Sequence, residues 1–195
     1  PSTLTRLPVA FRQLQVIHSQ RLTPQMQRIT LGGEALDGFA SPGADDHVKL
    51  FFPNAEGAFV LPELTEHGPR YPQGALPSPA RDYTPRHHDA EAGQLVIDFV
   101  VHGDGPATLW AVQAQPGDAL VLAGPRGSFA PADDFDGYVL LGDETALPAI
   151  ARFLAELPAQ AEVQAYIEIP DHGDRHPLEH GDNMHIQWLE RGGYP

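Results

Sequence analysis

A change of sequence pattern near Gly137 constrains the fold of this 195-residue chain more than any other feature. Before this position, short apolar stretches alternate with turns rich in glycine and proline, which is typical of antiparallel β structure. After it, an apolar stretch at 138–141, a helical pattern and a second apolar stretch at 161–169 follow one another. That order predicts the start of a parallel α/β unit. We therefore expect two units, over residues 1–135 and 136–195.

The first unit is predicted to be an antiparallel Greek-key barrel. Its clearest strand covers residues 94–102, in which Leu95, Ile97 and Phe99 form one apolar row. Further strands are predicted at residues 11–22, 27–31, 47–52 and 119–123. Five or six short strands with long connections favour a closed barrel over a βαβ array. The connection at residues 53–79 contains six prolines and is predicted to be a flap outside the core.

The second unit is predicted to be a truncated, parallel α/β nucleotide-binding domain. Its strands are expected at 138–141, 161–169 and 184–189, with a helix between the first two. Ile150 and Leu154 belong to the apolar face of that helix, which should be buried. The unit contains only about 60 residues, near the lower limit of domain size, so we expect it to be part of a larger domain.

The composition excludes several classes of function. The chain has 12 basic and 26 acidic residues and a formal net charge of −14, which argues against nucleic acid and anionic membrane surfaces as partners. It contains no cysteine, so thiolate nucleophiles and iron–sulfur clusters are excluded. No apolar stretch approaches the roughly 20 residues of a membrane helix. The first residues lack the pattern of a signal peptide, and we therefore expect a cytoplasmic protein.

The hexapeptide Arg-Asp-Tyr-Thr-Pro-Arg at residues 81–86 is the most informative motif for function. In an extended segment Arg81 and Tyr83 project from one face and Thr84 from the other. This edge can offer a guanidinium to phosphate, a ring to a conjugated ligand and a hydroxyl to a ring nitrogen, which are the needs of a bound flavin nucleotide. The alternative is a strand-to-turn junction in which Pro85 ends the strand and solvent surrounds both arginines.

A second motif, His102-Gly-Asp-Gly-Pro-Ala-Thr, directly follows the clearest strand. Pro106 is a favourable first residue of a helix, and the pattern predicts a short helix as far as about Ala114. The amide-bearing start of a helix beside glycines is suited to bind an anion. The spacing Gly103-x-Gly105 lacks the third glycine of a dinucleotide fingerprint and no βαβ unit follows, so we reject a Rossmann interpretation. The alternative to an anion site is a plain capped turn.

A third motif, Gly-Asp-Glu-Thr-Ala-Leu-Pro at residues 142–148, lies at the carboxyl end of the predicted strand 138–141. In open α/β sheets ligands bind at that end, against the amide-rich start of the next helix. The alternative is an ordinary capping box in which Asp143 or Thr145 caps the helix.

Together with Ala-Gly-Pro-Arg-Gly-Ser-Phe at residues 123–129, these motifs resemble those of the siderophore-interacting proteins over roughly residues 11–157. Members of that family are FAD-dependent ferric-siderophore reductases of the ferredoxin–NADP reductase superfamily. The resemblance implies an N-terminal FAD-binding barrel and a C-terminal NAD(P)H-binding α/β domain. Because family members continue beyond the length of this chain, it also implies that the second domain is incomplete here.

The resemblance implies roles for individual residues. Arg81 would bind an FAD phosphate, while Tyr83 would pack on the isoalloxazine and Thr84 would approach its N5 region, so the latter two would contact the reacting ring. The superfamily often has serine at the position of Thr84, and the hydroxyl is kept. The rest of the FAD site would comprise Asp98, His102, Gly105, Pro106, Ala107 and Thr108. Asp143, Glu144 and Thr145 would lie where flavin and nicotinamide meet.

The implied function is reduction of a ferric siderophore and release of ferrous iron, by electrons that pass from NAD(P)H or ferredoxin through FAD. Arg126 and Lys49 are candidates to attract the anionic ferric chelate.

His172, His176 and His180 are spaced by four, but glycine and proline interrupt them, so we expect a loop and no metal site. We also expect a monomer. Two alternatives stay open: a general flavin or ferredoxin–NADP-type reductase, and a non-catalytic module that binds a siderophore or a flavin.

Overall fold

The computed structural model describes residues 1–192 of the chain. The strands are β1 (Thr3–Arg6), β2 (Phe11–Thr23), β3 (Met26–Gly32), β4 (Val48–Phe51), β5 (Glu63–Thr65), β6 (Gly68–Arg70), β7 (Ala80–Tyr83), β8 (Pro85–Asp89), β9 (Gln94–Val100), β10 (Ala119–Ala123), β11 (Gly127–Ala130), β12 (Tyr138–Gly142), β13 (Val163–Ile169) and β14 (Met184–Glu190). The helices are α1 (Pro106–Gln113) and α2 (Leu147–Glu156), and two short 3-10 turns lie at Glu34–Leu36 and His172–Asp174. In this part of the chain, neither helix has the length and apolar character that spanning a bilayer requires.

Seven antiparallel strands form one sheet in the order β7-β4-β10-β2-β3-β9-β8. The two edge strands, β7 and β8, follow each other in the chain with only Thr84 between them. Because one residue spans at most about 3.3–3.6 Å, the sheet has to curl until its two edges meet at Thr84. This curled sheet confirms the predicted antiparallel barrel, and its seam runs through the hexapeptide motif.

The interior of the barrel is filled by alternate residues of its strands. Leu14, Ile29, Leu50, Ile97 and Leu122 have no exposed surface and belong to one apolar cluster. Each comes from a different strand, as expected when one face of every strand points inward.

Helix α1 covers one part of this interior. Ala107 and Ala111 are buried in the same cluster. The ring of Trp110 lies 5.6 Å from that of Phe52 and 5.9 Å from that of Phe99, measured between centroids. Burial of small residues lets the helix approach the strands closely, and Trp110 fills the remaining space beside them.

The connection between β4 and β7 contains a hairpin of β5 and β6, which in the described structure pairs only with itself. Its residues are mostly exposed, as expected for a flap outside the core. Strands β5 and β6 were not predicted from the sequence, because three-residue strands are too short to show an alternating pattern. Strands β1, β8 and β11, of four or five residues each, were also missed, because they too are short.

The second unit is built on the parallel sheet β12-β13-β14, which confirms the predicted α/β architecture. Alternate residues of the central strand β13, Val163, Ala165 and Ile167, are buried. They form one apolar cluster with Ile150 and Leu154 of α2. The helix therefore covers one face of the sheet, as its apolar face predicted.

Helix α2 also contacts the barrel, which the sequence did not reveal. Met26 and Val100 of the barrel join the apolar cluster of the second unit. Ala149 and Arg152 are buried as well, because another side of the helix contacts β8. Helix α2 therefore packs between the parallel sheet of its own unit and the barrel.

The guanidinium of Arg152 joins the two units through polar contacts. Its Nη1 donates to the carbonyl oxygens of Gly43 at 2.8 Å and Pro85 at 3.2 Å, and Nη2 donates to the carbonyl of Ser41 at 2.9 Å. Its Nε forms an ion pair with Glu156 at 2.6 Å. Because these carbonyls belong to barrel segments, a single side chain of α2 satisfies several buried acceptors of the first unit.

The carboxylate of Asp174 makes a second polar contact between the units. Its Oδ1 accepts a hydrogen bond from Thr23 Oγ1 at 3.1 Å and one from the backbone N–H of Gln25 at 2.9 Å. Asp174 lies just after β13, whereas Thr23 ends β2 and Gln25 lies in the turn between β2 and β3. Together with Arg152, it fixes the orientation of the two units at separate points.

Replacing Arg152 by alanine should lower the free energy of unfolding by about 2–4 kcal/mol, because buried barrel carbonyls would lose a charged donor. Urea unfolding followed by far-ultraviolet circular dichroism measures this change. Arg21→Ala is the control, since Arg21 is exposed and donates to a single carbonyl. The control should change the free energy of unfolding by no more than about 0.5 kcal/mol. Equal effects of the two substitutions would contradict the role of Arg152.

Candidate functional site

The three motifs meet at a cleft of about 500 Å³, here called the interdomain cleft. Its walls come from β7, from the start of α1 and from the turn before α2. The residues on these walls include Arg81, Tyr83, Thr84, Asp98, His102, Gly105, Pro106, Ala107, Thr108 and Thr145. The structure therefore brings together all the predicted cofactor-binding residues except Asp143 and Glu144.

Strand β7 presents Arg81 and Tyr83 to this cleft. They pair in the ladder with Leu50 and Val48 of β4, so both side chains project from the same face, as the sequence predicted. The guanidinium of Arg81 is exposed, and its Nη1 donates to the carbonyl of Ala80 at 2.7 Å. Its other N–H groups remain available to an anionic group in the cleft.

The ring of Tyr83 is held against the barrel core. Its centroid lies 4.5 Å from that of Phe99. Burial raises the pKa of Tyr83 to about 12, while the positive charge of Arg81 acts in the opposite direction. The phenol is therefore neutral near pH 7 and keeps a hydroxyl that can donate a hydrogen bond. A fixed, neutral aromatic ring is suited to pack on a conjugated ligand.

The start of helix α1 supplies donors for an anion. Gly105 is the N-cap residue and offers no side chain to the helix, whose first backbone bond is Leu109 N–H to the Gly105 carbonyl at 3.0 Å. The N–H groups of Ala107 and Thr108 precede that bond and have no acceptor within the helix. The hydroxyl of Thr108 donates to the carbonyl of His102 at 3.1 Å, which closes the turn before the helix.

Asp98 lies on the wall of the cleft, but its carboxylate already has partners within the protein. Its side chain is 2% exposed and accepts hydrogen bonds from Arg28 Nε at 2.7 Å and Nη2 at 2.8 Å. Arg86 Nε lies 3.9 Å from the same carboxylate. The hydrogen bond to Asp98 raises the pKa of Arg28, whereas burial lowers the pKa of Arg86. Asp98 therefore positions the guanidinium groups of Arg28 and Arg86 beside the cleft. Its direct contact with a cofactor stays a prediction.

Of the third motif, Thr145 and Pro148 reach the cleft, whereas Asp143 and Glu144 do not line it. Asp143 Oδ1 accepts hydrogen bonds from the Thr145 hydroxyl at 2.5 Å and backbone N–H at 2.8 Å, and the hydroxyl contact lowers the pKa of Asp143. Glu144 instead accepts two hydrogen bonds from Arg191, at 2.5 and 2.8 Å. Helix α2 begins at Leu147 and has no side-chain cap, so a capping box by Asp143 or Thr145 is wrong.

A second cleft, of about 580 Å³, lies on the outer face of the barrel and is here called the outer cleft. It contains both cations that were predicted to attract substrate, Lys49 and Arg126. Lys49 Nζ forms an ion pair with Asp82 at 2.6 Å. The side chain of Arg126 is exposed and has no ion pair within residues 1–192. Apolar walls are provided by the barrel and by the β5–β6 flap, including Phe11, Phe51, Leu64 and Tyr71.

The two clefts are adjacent, because His47 and Asp82 line both of them. His47 belongs to none of the three motifs, and one histidine before a strand has no distinctive sequence pattern. The alternation of β4 was the available signal: His47 and Lys49 flank the buried Val48 and therefore share the outward face.

Residues 15–129 match the family model described as the siderophore-interacting FAD-binding domain. Residues 135–195 match the model described as siderophore-interacting protein. The chain belongs to the siderophore-interacting protein family. Its barrel is accordingly an FAD-binding domain, and the family resemblance of the motifs is confirmed.

Relatives within this family include enzymes that act on ferric chelates. The chain is 44% identical over 187 residues to the NADPH-dependent ferric-chelate reductase of Escherichia coli (strain K12), covering 94% of this chain and 73% of that protein. It is 38% identical over 182 residues to the ferric vibriobactin reductase ViuB of Vibrio cholerae, covering 92% and 66% of the two chains. A solved structure of a siderophore utilization protein from T. fusca has a TM-score of 0.91 at 44% identity, covering 100% of this chain and 74% of that one.

The interdomain cleft fits FAD by the chemistry of its donors. Arg81 and the free amides at the start of α1 suit the phosphates, and Tyr83 suits the ring system. The space in front of Gly105 is open, since a Cβ atom added there would meet no atom within 4 Å. This siderophore-interacting protein therefore has donors for the phosphates of FAD and an aromatic ring for its ring system.

Replacing Arg81 by alanine should raise the Kd of FAD roughly 10- to 150-fold, because a charge-assisted hydrogen bond to phosphate contributes about 1.5–3 kcal/mol. Arg86→Ala should raise it far less, because Arg86 lies beside Asp98 and does not line the interdomain cleft. Fluorescence titration of the FAD-free protein with FAD measures both constants. If Arg81→Ala and Arg86→Ala lose equal affinity for FAD, the predicted contact between Arg81 and an FAD phosphate is wrong.

Proposed function

We propose that this protein is a flavin-dependent reductase that releases ferrous iron from a ferric siderophore. In this proposal residues 1–135 form the FAD-binding domain and residues 136–195 begin an NAD(P)H-binding domain, of which 193–195 lie outside the described residues. The observation that carries the proposal is the adjacency of two different clefts. One has the donors for FAD, and the other, across the shared residues His47 and Asp82, has cations and apolar walls for a chelate.

Residues of the interdomain cleft would hold and orient the cofactor. Arg81 and the amides of Ala107 and Thr108 would bind its phosphates, Tyr83 would pack on its ring and the Thr84 hydroxyl would approach the reacting edge. Bound FAD supplies the chemistry of a converter, taking two electrons from a hydride donor and passing them on one at a time. The iron is the substrate, so the proposal requires no resident metal site.

Residues of the outer cleft would bind the ferric chelate close to that ring. Its cations lie on a protein whose formal net charge is −14, so their attraction acts locally, within a Debye length of about 8 Å at physiological salt. Arg126 is the stronger candidate, because Lys49 is partly neutralised by Asp82. The names of the Escherichia coli and Vibrio cholerae relatives support a ferric chelate as the substrate class.

The electron donor is proposed to be NAD(P)H, bound at the carboxyl end of the parallel sheet. Thr145 and Pro148, which follow β12, line the interdomain cleft and would lie on the nicotinamide side of the flavin. The name of the Escherichia coli relative supports NADPH as the donor. A reduced ferredoxin is the alternative donor, and we expect a monomer in the cytoplasm.

The decisive experiment follows the flavin spectrum in the absence of oxygen. The FAD-loaded protein is reduced either by NADPH or by light, and an anionic ferric catecholate complex is then added. We expect the oxidised flavin spectrum to return with about two ferrous ions trapped per FAD. A flavin that stays reduced would favour a non-catalytic binding module. If light but not NADPH reduces the bound flavin, the proposed electron donor is wrong, while the proposed reduction of the ferric chelate still stands.

Arg126→Ala should raise the KM for the anionic ferric complex by up to roughly fivefold, because one exposed charge interaction contributes at most about 1 kcal/mol. Lys49→Ala should have a smaller effect, because Lys49 is already paired with Asp82. Steady-state rates at low and high salt give the KM of each variant. The difference in KM between a variant and the unaltered protein should shrink at high salt, because salt screens the charge. A neutral ferric hydroxamate is the control substrate. The same rise of KM for both substrates would contradict electrostatic recognition by Arg126.

A further inference from the structure

His47 is placed to act on both clefts. Of the two residues that line both, both are exposed, but the carboxylate of Asp82 is held by its ion pair with Lys49. The His47 ring forms no hydrogen bond or ion pair with any residue from 1 to 192. Its contacts within the protein therefore give it no evident structural role, although its position is the junction of the proposed cofactor and chelate sites.

The neighbouring backbone fixes this position. His47 directly precedes β4, in which Val48 pairs with Tyr83 of the interdomain cleft. On the other side Gly124, with φ of +95°, turns the chain next to His47, and a Cβ atom added to it would lie 3.9 Å from the His47 carbonyl oxygen. The chain leading to Arg126 passes at this point. The histidine is therefore anchored between the Tyr83 side of one cleft and the Arg126 side of the other.

The proposed reaction moves protons as well as electrons. Two ferric ions accept one electron each, and one N–H bond of the anionic reduced cofactor breaks to release a proton. When iron leaves the chelate, an Fe–O bond breaks and the freed catecholate or hydroxamate oxygen accepts a proton. A side chain that accepts a proton on one side and donates one on the other can connect these two events. Histidine has a donor and an acceptor nitrogen and exchanges protons readily near neutral pH.

On the basis of the function proposed above, we propose that His47 transfers protons from the cofactor in the interdomain cleft to the chelate oxygen in the outer cleft. One imidazole nitrogen accepts the proton that the cofactor loses, and the N–H of the other nitrogen donates its proton to the oxygen leaving iron. The charged or titratable groups facing this path are Lys49, Tyr71, Asp82 and Arg126 in the outer cleft and Arg81, Tyr83, Asp98, His102 and Asp104 in the interdomain cleft. Among them Asp82 alone also reaches both clefts, and its carboxylate is engaged by Lys49.

The kinetic test compares an acceptor that needs a proton with one that needs none. His47→Gln should lower kcat for the ferric catecholate complex by about 100-fold, the scale of general acid–base catalysis. Reduction of ferricyanide, whose product takes up no proton, should fall far less, because the proton that the cofactor loses can then pass to solvent and only the step at the chelate oxygen requires the histidine. His18→Gln is the matched control, since His18 is also exposed but lines neither cleft.

A binding measurement on the unaltered protein tests the position independently of turnover. The ring signals of His47, assigned by their loss in His47→Gln, are followed by NMR during addition of FAD and of a gallium(III) catecholate complex, which has the charge of the ferric complex but is not reduced. Both additions should shift these signals and leave those of His18 unchanged. A response to only one of the two ligands would overturn the proposal.

The outcomes separate this inference from the proposed function. Failure of the unaltered, reduced protein to reduce any ferric chelate would overturn the function itself. Normal chelate reduction by His47→Gln would overturn the proton transfer alone. Equal loss of chelate and ferricyanide reduction would also overturn it, because such a loss would reflect a disturbed cofactor.

Discussion

The architecture of the site depends on one constraint, which is that Thr84 alone connects the two edges of the seven-stranded sheet. β7 and β8 are consecutive in the chain but lie at opposite ends of the strand order, so the sheet has to curl completely for one residue to join them. The hexapeptide that begins at Arg81 therefore lies on the seam of the barrel. Groups on one side of Thr84 face the interdomain cleft, while Pro85, on the other side, accepts a hydrogen bond from Arg152 of the second unit.

This arrangement explains why much of the fold was predictable from local patterns. The long strands have an alternation that burial requires, and the change to strand, helix and strand marked the second unit. The convergence of three motifs on one cleft was also predictable, because the second and third motifs each follow a strand and the hexapeptide itself forms an edge strand whose alternate side chains share one face. Arg81, Tyr83 and the start of α1 are positioned by backbone geometry that a few neighbouring residues determine.

The remaining features depend on partners that are distant in the chain. Asp98 is bound by Arg28, and Glu144 by Arg191, so both carboxylates have different surroundings from those their motifs implied. Arg152 looked like an ordinary polar position of a helix, but it is buried because the barrel covers that side of α2. His47 had no local pattern, and its significance appears only when two clefts are seen on either side of it. Burial and long-range pairing determine the surroundings of Asp98, Glu144 and Arg152, and the meeting of two clefts determines those of His47, so local propensity accounts for none of these four positions.

The β5–β6 flap has a consequence for the divergence of related proteins. Because this hairpin forms a ladder only with itself in the described structure, substitutions in it leave the hydrogen bonds of the barrel intact. Leu64 is 56% exposed, so replacing it removes little buried surface. The shape of the outer cleft can therefore drift during evolution without loss of folding stability, while the cofactor cleft on the seam of the barrel stays under strict structural constraint.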